Sequence, residues 1–302
     1  MTWKRVVTAL VLIPVVVGLV LFTPTWAVAI ATAVITALAL WEYFALGEAI
    51  GHRAYRVWTV VCAILFIADH LHAVGRVAGH SISSSASATP GATLIQEIYN
   101  PFHGSVDVVH SIVSVFFLFV LGLMVLTLFT KRPLVESLPA AGISSSALLL
   151  VAFPLSYAVR LHGFGTEGPK LLLFALVITW AGDTTAYFVG RAIGKHPLAP
   201  HLSPKKTWEG SVGSMVGSLV VGWAFGYWIA IPLGHLLAMA AIGNVAGQMG
   251  DLLESAYKRS AGVKDSGGLL PGHGGVLDRI DALILCIPVI WYYVVLVNPR
   301  GM

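Results

Sequence analysis

The sequence predicts an all-α, polytopic integral membrane protein, and three observations carry that prediction. Apolar residues make up 57% of the 302-residue chain and charged residues only 11%, with a mean hydropathy of +0.84. Soluble domains hold about 25% charged residues. Apolar runs approaching the roughly 20 residues needed to cross a bilayer recur along the whole length. The lysines and arginines, finally, are spread unevenly over alternate connections.

The runs lie near 5–23, 25–47, 57–74, 107–130, 138–159, 169–190, 211–232, 234–250 and 282–298, which predicts about nine helices. The first has the basic flank of a signal peptide in Lys4 and Arg5. Its apolar stretch exceeds an h-region of about 7–15 residues and a second run follows at once, so a retained helix is predicted. The third run carries Asp69, and the eighth is short and glycine-rich. In the seventh, Gly210, Ser214, Ser218, Gly222 and Gly226 recur every four residues along one helical face, and Gly243 and Gly247 repeat the device in the eighth. Small side chains let backbones approach closely in lipid. Such stripes serve contacts within one chain or between two, which leaves a homodimer open.

With the N-terminus in the cytoplasm and nine crossings, only Arg76, Arg160, Lys170 and Arg300 fall outside, and the other 14 of the 18 basic residues fall inside. That asymmetry favours this orientation, which puts both polar loops, and so the site, in the cytoplasm; the membrane is expected to be a bacterial-type cytoplasmic (inner) membrane. Residues 1–165 read as N-terminal transmembrane helices and 166–302 as a C-terminal catalytic transmembrane domain. Within the first, the tract near 75–105 contains HSISSSASATPGAT, too poor in apolar residues to bury a core, and predicts a flexible outer loop. The pI near 9.1 follows from the inward basic bias. No basic arm or aromatic-basic strip points to nucleic acid. Cys62 and Cys286 are too few for a disulfide framework and read as core residues. His52, His70, His72, His80 and His103 lack ligand spacing and read as surface or interfacial.

The chemistry is concentrated in the polar run from Ser255 to Asp281 and the residues just before it. Ionisable groups beside hydrocarbon are costly, and usually functional. Asp251, Glu254, Ser255 and Lys258 fall at i, i+3, i+4 and i+7, on one helical face. A solvated helix end explains Lys258 and Arg259, whose long stems snorkel. It explains Asp251 poorly, because that acid follows the apolar span directly. In KDSGGLLPGHGG, glycines at 267, 268, 272, 274 and 275 free the backbone to present N–H groups to an anion. Lys264, His273 and Arg279 flank them, so cations and amides can converge on phosphate oxygens. Asp278 and Asp281 stand one turn apart at the start of the last helix. They either complement the helix dipole or join Asp251 in an oxygen cluster suited to Mg²⁺, which takes one or two carboxylates plus substrate phosphates.

SPKKTWEG supplies complementary parts: hydroxyls on Ser203 and Thr207, and paired charge on Lys205 and Lys206. The lysines could equally set topology or touch anionic lipid, and Trp208 suits an interfacial anchor. Asp183, in TWAGDTTAYFVG, is an acid inside an apolar helix and a site candidate. Its alternative is a structural acid bonded to Thr179, Thr184 or a neighbouring helix. Glu42, in LALWEYF, is the weaker candidate, since Trp41 and Tyr43 suggest an interface nearby.

The order Ser255-x-Tyr257-Lys258-Arg259, then Lys264-Asp265, then His273-Gly274-Gly275-x-x-Asp278-Arg279-x-Asp281 resembles the signature of the phosphatidate cytidylyltransferases, the CDP-diacylglycerol synthases. GDTTAYFVGR and SPKKTWEG are similar to that family too, and the resemblance covers roughly 170–298. Tyr257 departs from it, standing where the family usually has an aliphatic residue or Phe. The resemblance implies that CTP and phosphatidate give CDP-diacylglycerol and pyrophosphate in phospholipid biosynthesis. It also implies Mg²⁺, with a second cation such as K⁺ as an option.

On this sequence the resemblance implies Asp251 and Asp278 as metal ligands, with Asp281 as an additional candidate. Lys264 and Asp265 complete the implied catalytic set with those acids. Asp183, Ser203, Lys205, Lys206, Thr207, Lys258, Arg259, His273 and Arg279 would contact the substrates. A cation-coupled transporter would use an acid such as Asp183, yet it does not account for the Lys-Asp to Asp-Arg-x-Asp loop. The Asp-Gly-x-x-Ala-Arg motif of the CDP-alcohol phosphotransferases is absent.

Overall fold

The computed structural model describes residues 2–84, 112–268 and 274–297, with side chains from 10 to 75 in the first of these stretches. The helices are α1 (Thr2–Phe22), α2 (Thr25–Ala49), α3 (Arg56–Ser84), α4 (Ile112–Leu128), α5 (Ser137–Ala147), α6 (Phe153–His162) and α7 (Gly168–Ile193). Two strands follow, β1 (Pro197–Ala199) and β2 (Ser203–Thr207), then α8 (Trp208–Phe225), α9 (Leu233–Ser260) and α10 (Leu277–Val297). Among the described residues, six helical segments are long and apolar enough to cross a membrane, and Leu10–Phe22 and Ile112–Leu128 are shorter apolar helices. The chain is a multi-pass helical membrane protein.

Local sequence explains the irregular points. α5 and α6 form one rod joined by a π-helical turn, Leu148–Ala152. Pro154 stands just after it, and its missing N–H cannot bond one turn back, so the helix widens there. α8 falls outside the six apolar spans because glycine and serine replace much of its aliphatic surface.

Five expectations need correction. The eighth run is not short: α9 has 28 residues and keeps GQMGDLLESAYKRS helical to Ser260. It stops where Gly262 takes φ +69° and the amides of Ala261, Gly262 and Val263 bond back to Tyr257, Arg259 and Lys258, a left-handed glycine cap. α8 ends at Phe225, short of 232. SPKKT is a strand, antiparallel to β1 with Pro197 opposite Thr207 and Ala199 opposite Ser203; its two adjacent lysines hide any period of two. α3 continues to Ser84, into the tract expected to be a loop, and the rest of that tract, 85–105, lies outside the described residues. His70, expected at the surface, is fully buried and meets the Tyr157 ring edge-on at 4.9 Å.

One buried cluster runs through both halves, from Val20 and Phe44 through Phe66, Leu148 and Tyr157 to Phe174, Ile287 and Ile290. Cys62 and Cys286 are fully buried in it, as expected. Helices in lipid gain little from apolar contact alone and rely on close backbones and interhelical hydrogen bonds. On α8, Gly210, Ser214, Ser218 and Gly222 are buried, while Gly226 is exposed beyond the helix end. This stripe is spent within the chain. A Cβ at Gly213 would strike Val189, and one at Gly217 would strike Thr185, so α7 and α8 touch nearly backbone to backbone. Asn244 Nδ2 of α9 donates to Ser214 Oγ at 2.8 Å and Ser218 Oγ at 2.9 Å, and Ser218 Oγ donates to the Ile178 carbonyl at 2.9 Å. Each such bond contributes about 0.6 kcal/mol in a membrane bundle.

Candidate active site

A polar ladder climbs the inner face of α9 toward its end. Gln248 Nε2 donates to Asn244 Oδ1 at 2.6 Å, and Ser211 Oγ of α8 donates to Gln248 Oε1 at 2.5 Å. Asp251 and Glu254 come next along the helix. Gly250 decides what faces them: a Cβ there would overlap the Asp281 carbonyl oxygen. Its absence lets the start of α10 lie against α9, with Asp281 beside the two α9 acids. One oxygen from each of Asp251, Glu254 and Asp281 lies within 4.8 Å of the others.

Three carboxylates this close repel unless cations sit among them. Two are present. Lys206 of β2 pairs with Asp251, and Lys258 pairs with Glu254. Glu254 Oε1 remains buried without a hydrogen-bond partner. Leaving such an oxygen unsatisfied is costly, and an all-oxygen donor set is what a hard divalent cation takes. The residues therefore fit a Mg²⁺-class ion.

Asp278 has other partners. Its Oδ1 accepts from Lys258 Nζ at 2.6 Å, and its Oδ2 accepts from the Ser266 amide at 3.0 Å and the Gly275 amide at 2.8 Å. The carboxylate thus clasps both ends of the glycine turn. Gly274, at φ +80°, provides the left-handed step beside it. Asp278 is not part of the three-acid cluster; Asp281, one turn further on, is. Glu254 joins the cluster although the sequence offered only its shared face with Asp251.

The other expected residues divide by role. Thr207 Oγ1 accepts from the Gly210 amide at 3.1 Å and caps α8. Arg259 Nε donates to the Leu202 carbonyl at 3.2 Å, tying the end of α9 to the β-turn. Lys205, Lys264, Asp265 and Arg279 are exposed, and Ser203 is half-buried. Asp183 is accessible on α7, within electrostatic range of Asp251, Lys206 and Arg279. The Thr179 and Thr184 hydroxyls bond to carbonyls of their own helix, Ala175 and Trp180, so neither is taken up by Asp183. His273 lies outside the described residues.

The two motifs, far apart in sequence, thus form one face. The profile of the "Cytidylyltransferase family" matches residues 3–297. The chain belongs to that family. Among curated proteins it is similar to "Phosphatidate cytidylyltransferase" of Bacillus subtilis (strain 168), 37% identical over 177 residues, which is 57% of this chain and 66% of the relative. Proteins with the same name from Staphylococcus saprophyticus and Staphylococcus aureus (strain COL) are 43% and 42% identical over 148 residues, 48% of this chain and 55% of each relative. The chain spans between about half and two thirds of the length of these cytidylyltransferase relatives.

Proposed function

We propose that this family member transfers the cytidylyl group of CTP to phosphatidate, giving CDP-diacylglycerol and pyrophosphate for phospholipid biosynthesis. The observation that carries the reading is the convergence of Asp251, Glu254 and Asp281, with Lys206 drawn in from the other motif. Its relatives' shared name points to the same reaction.

A phosphatidate phosphate oxygen attacks the α-phosphorus of CTP, the bond to the β-phosphoryl oxygen breaks, and pyrophosphate leaves in line. Both reactants are anions, so the site must first suppress their repulsion. Lys206 and Lys258 already pair with the cluster acids, and the exposed Lys205, Lys264, Arg259 and Arg279, with His273, would supply further positive charge to the substrates. Asp251, Glu254 and Asp281 would hold Mg²⁺, which when bound neutralises phosphate charge and stabilises the leaving oxygen. The phosphate monoester is already ionised near neutral pH, so no strong general base is required. A second cation such as K⁺ is a further proposal. The acyl chains stay in the bilayer, which accounts for an enzyme built among membrane helices.

Nine crossings with a cytoplasmic N-terminus put β1–β2 and the 261–276 connection on the side where CTP is made, in the inner membrane of a bacterium. The basic asymmetry supports this topology.

The test is pyrophosphate release by the purified protein in detergent with CTP, Mg²⁺ and phosphatidate, together with recovery of CDP-diacylglycerol. Release that does not depend on phosphatidate, or no release at all, overturns the reading.

A further inference from the structure

Glu42 sits on α2, more than 220 residues before the glycine turn, and is 3% exposed. Both its oxygens are used there. Oε1 accepts from the Val276 amide at 2.9 Å, and Oε2 accepts from the Leu277 amide at 2.8 Å and the Ser266 hydroxyl at 3.0 Å. Val276 and Leu277 carry two of the amides that a helix start leaves without an internal partner. A carboxylate from another helix satisfies both. Two glycines make room for it: a Cβ at Gly267 would lie 2.5 Å from Glu42 Oε1, and one at Gly275 would overlap Oε2. The neighbouring Tyr43 packs edge-on against Tyr257 of α9, ring centroids 5.6 Å apart.

We propose that Glu42 is a positioning residue for the site: from the N-terminal half, it fixes the glycine turn and the first turn of α10, and so sets where Asp278 and Asp281 stand. Asp278 fastens the turn to α9 through Lys258, and Glu42 fastens the same turn to α2. With the α2 anchor lost, the Val276 and Leu277 amides lose their carboxylate partner while the Asp278–Lys258 tie to α9 remains. Asp281 then no longer keeps a fixed distance from Asp251 and Glu254. The catalytic part of this proposal rests on the cytidylyl-transfer reading.

Glu42→Gln is the informative substitution. It keeps the size and one acceptor, but sets an NH₂ against amide or hydroxyl donors that the carboxylate accepted. Glu42→Asp keeps the charge and shortens the reach by one methylene. Turnover should fall about 10–100-fold in Glu42→Gln, the range for lost partners behind metal ligands, with a raised Mg²⁺ requirement, and should be partly recovered in Glu42→Asp. The Val276 and Leu277 amides should exchange with deuterium faster in Glu42→Gln than in wild type. Where that variant does not fold, Ser266→Ala removes one donor to Oε2 and should give a smaller shift in the same directions. Wild-type turnover and Mg²⁺ dependence in the folded variants, or unchanged exchange at 276–277, overturns the proposal. A wild-type protein that forms no CDP-diacylglycerol refutes the cytidylyl-transfer reading alone, because the exchange measurement still decides whether Glu42 holds the turn.

Discussion

Lys258 Nζ lies 2.6 Å from Asp278 Oδ1 while also pairing with Glu254, so one ammonium joins the clasp of the glycine turn to the three-acid cluster. The first aspartate of Asp-Arg-x-Asp thus ties the glycine turn to α9, and the second stands beside Asp251 and Glu254. The two acids should respond differently to loss of charge.

Asp278→Asn leaves Lys258 short of a partner and puts an amide group where two backbone N–H groups donate. Breaking a buried pair costs about 3–5 kcal/mol, and with Asp278 only 9% exposed a large drop in the unfolding midpoint in detergent is expected. Asp281→Asn removes one of three mutually repelling charges. In metal-free buffer its midpoint should hold or rise, while Mg²⁺-dependent turnover falls by about 10–100-fold or more.

Chelation should abolish turnover, and Mg²⁺ should restore it. An ion that binds only the folded state stabilises it by about 2.7 kcal/mol at 100 times its Kd. Added Mg²⁺ should therefore raise the unfolding midpoint of the wild-type protein. Glu254→Gln, which removes the charge of the buried carboxylate paired with Lys258, should blunt that rise, and a rise as large as wild type would remove Glu254 from the ligand set.

Lys206→Ala tests the link between the two motifs. The Lys206–Asp251 pair is over a quarter exposed on both sides, so its loss should cost less than about 1 kcal/mol of stability. The kinetic effect should be larger, as a raised KM for CTP or phosphatidate. Unchanged KM values for both would confine Lys206 to structure.

Two glycines of α9 make a matched test of close packing. Gly250→Ala would push a methyl into the Asp281 carbonyl, and overpacking of this kind costs about 1–3 kcal/mol. It should also displace Asp281 and depress turnover. Gly234→Ala meets open space and should be neutral or stabilising by up to about 1 kcal/mol, since alanine suits a helix better. Thermal midpoints and turnover of the two variants decide the matter together.

The sequence by itself determined that this is a helical membrane protein, where most of its helices run, and which two polar segments carry the chemistry. Those properties are local: an apolar run, a basic flank and a glycine-rich turn each declare themselves within about 25 residues. It also put Asp251, Glu254 and Lys258 on one face, because a single helix period relates them. Only the tertiary structure decided which acids meet. Asp278 and Asp281 are equivalent by spacing, and their separate roles follow from Gly250 admitting the Asp281 backbone and from Lys258 reaching Asp278. Lys206 against Asp251, and Glu42 beneath the glycine turn, join residues about 45 and 235 positions apart at most. No periodicity relates such pairs; they are chosen by how closely the helices can approach, and small residues at a few crossings set that.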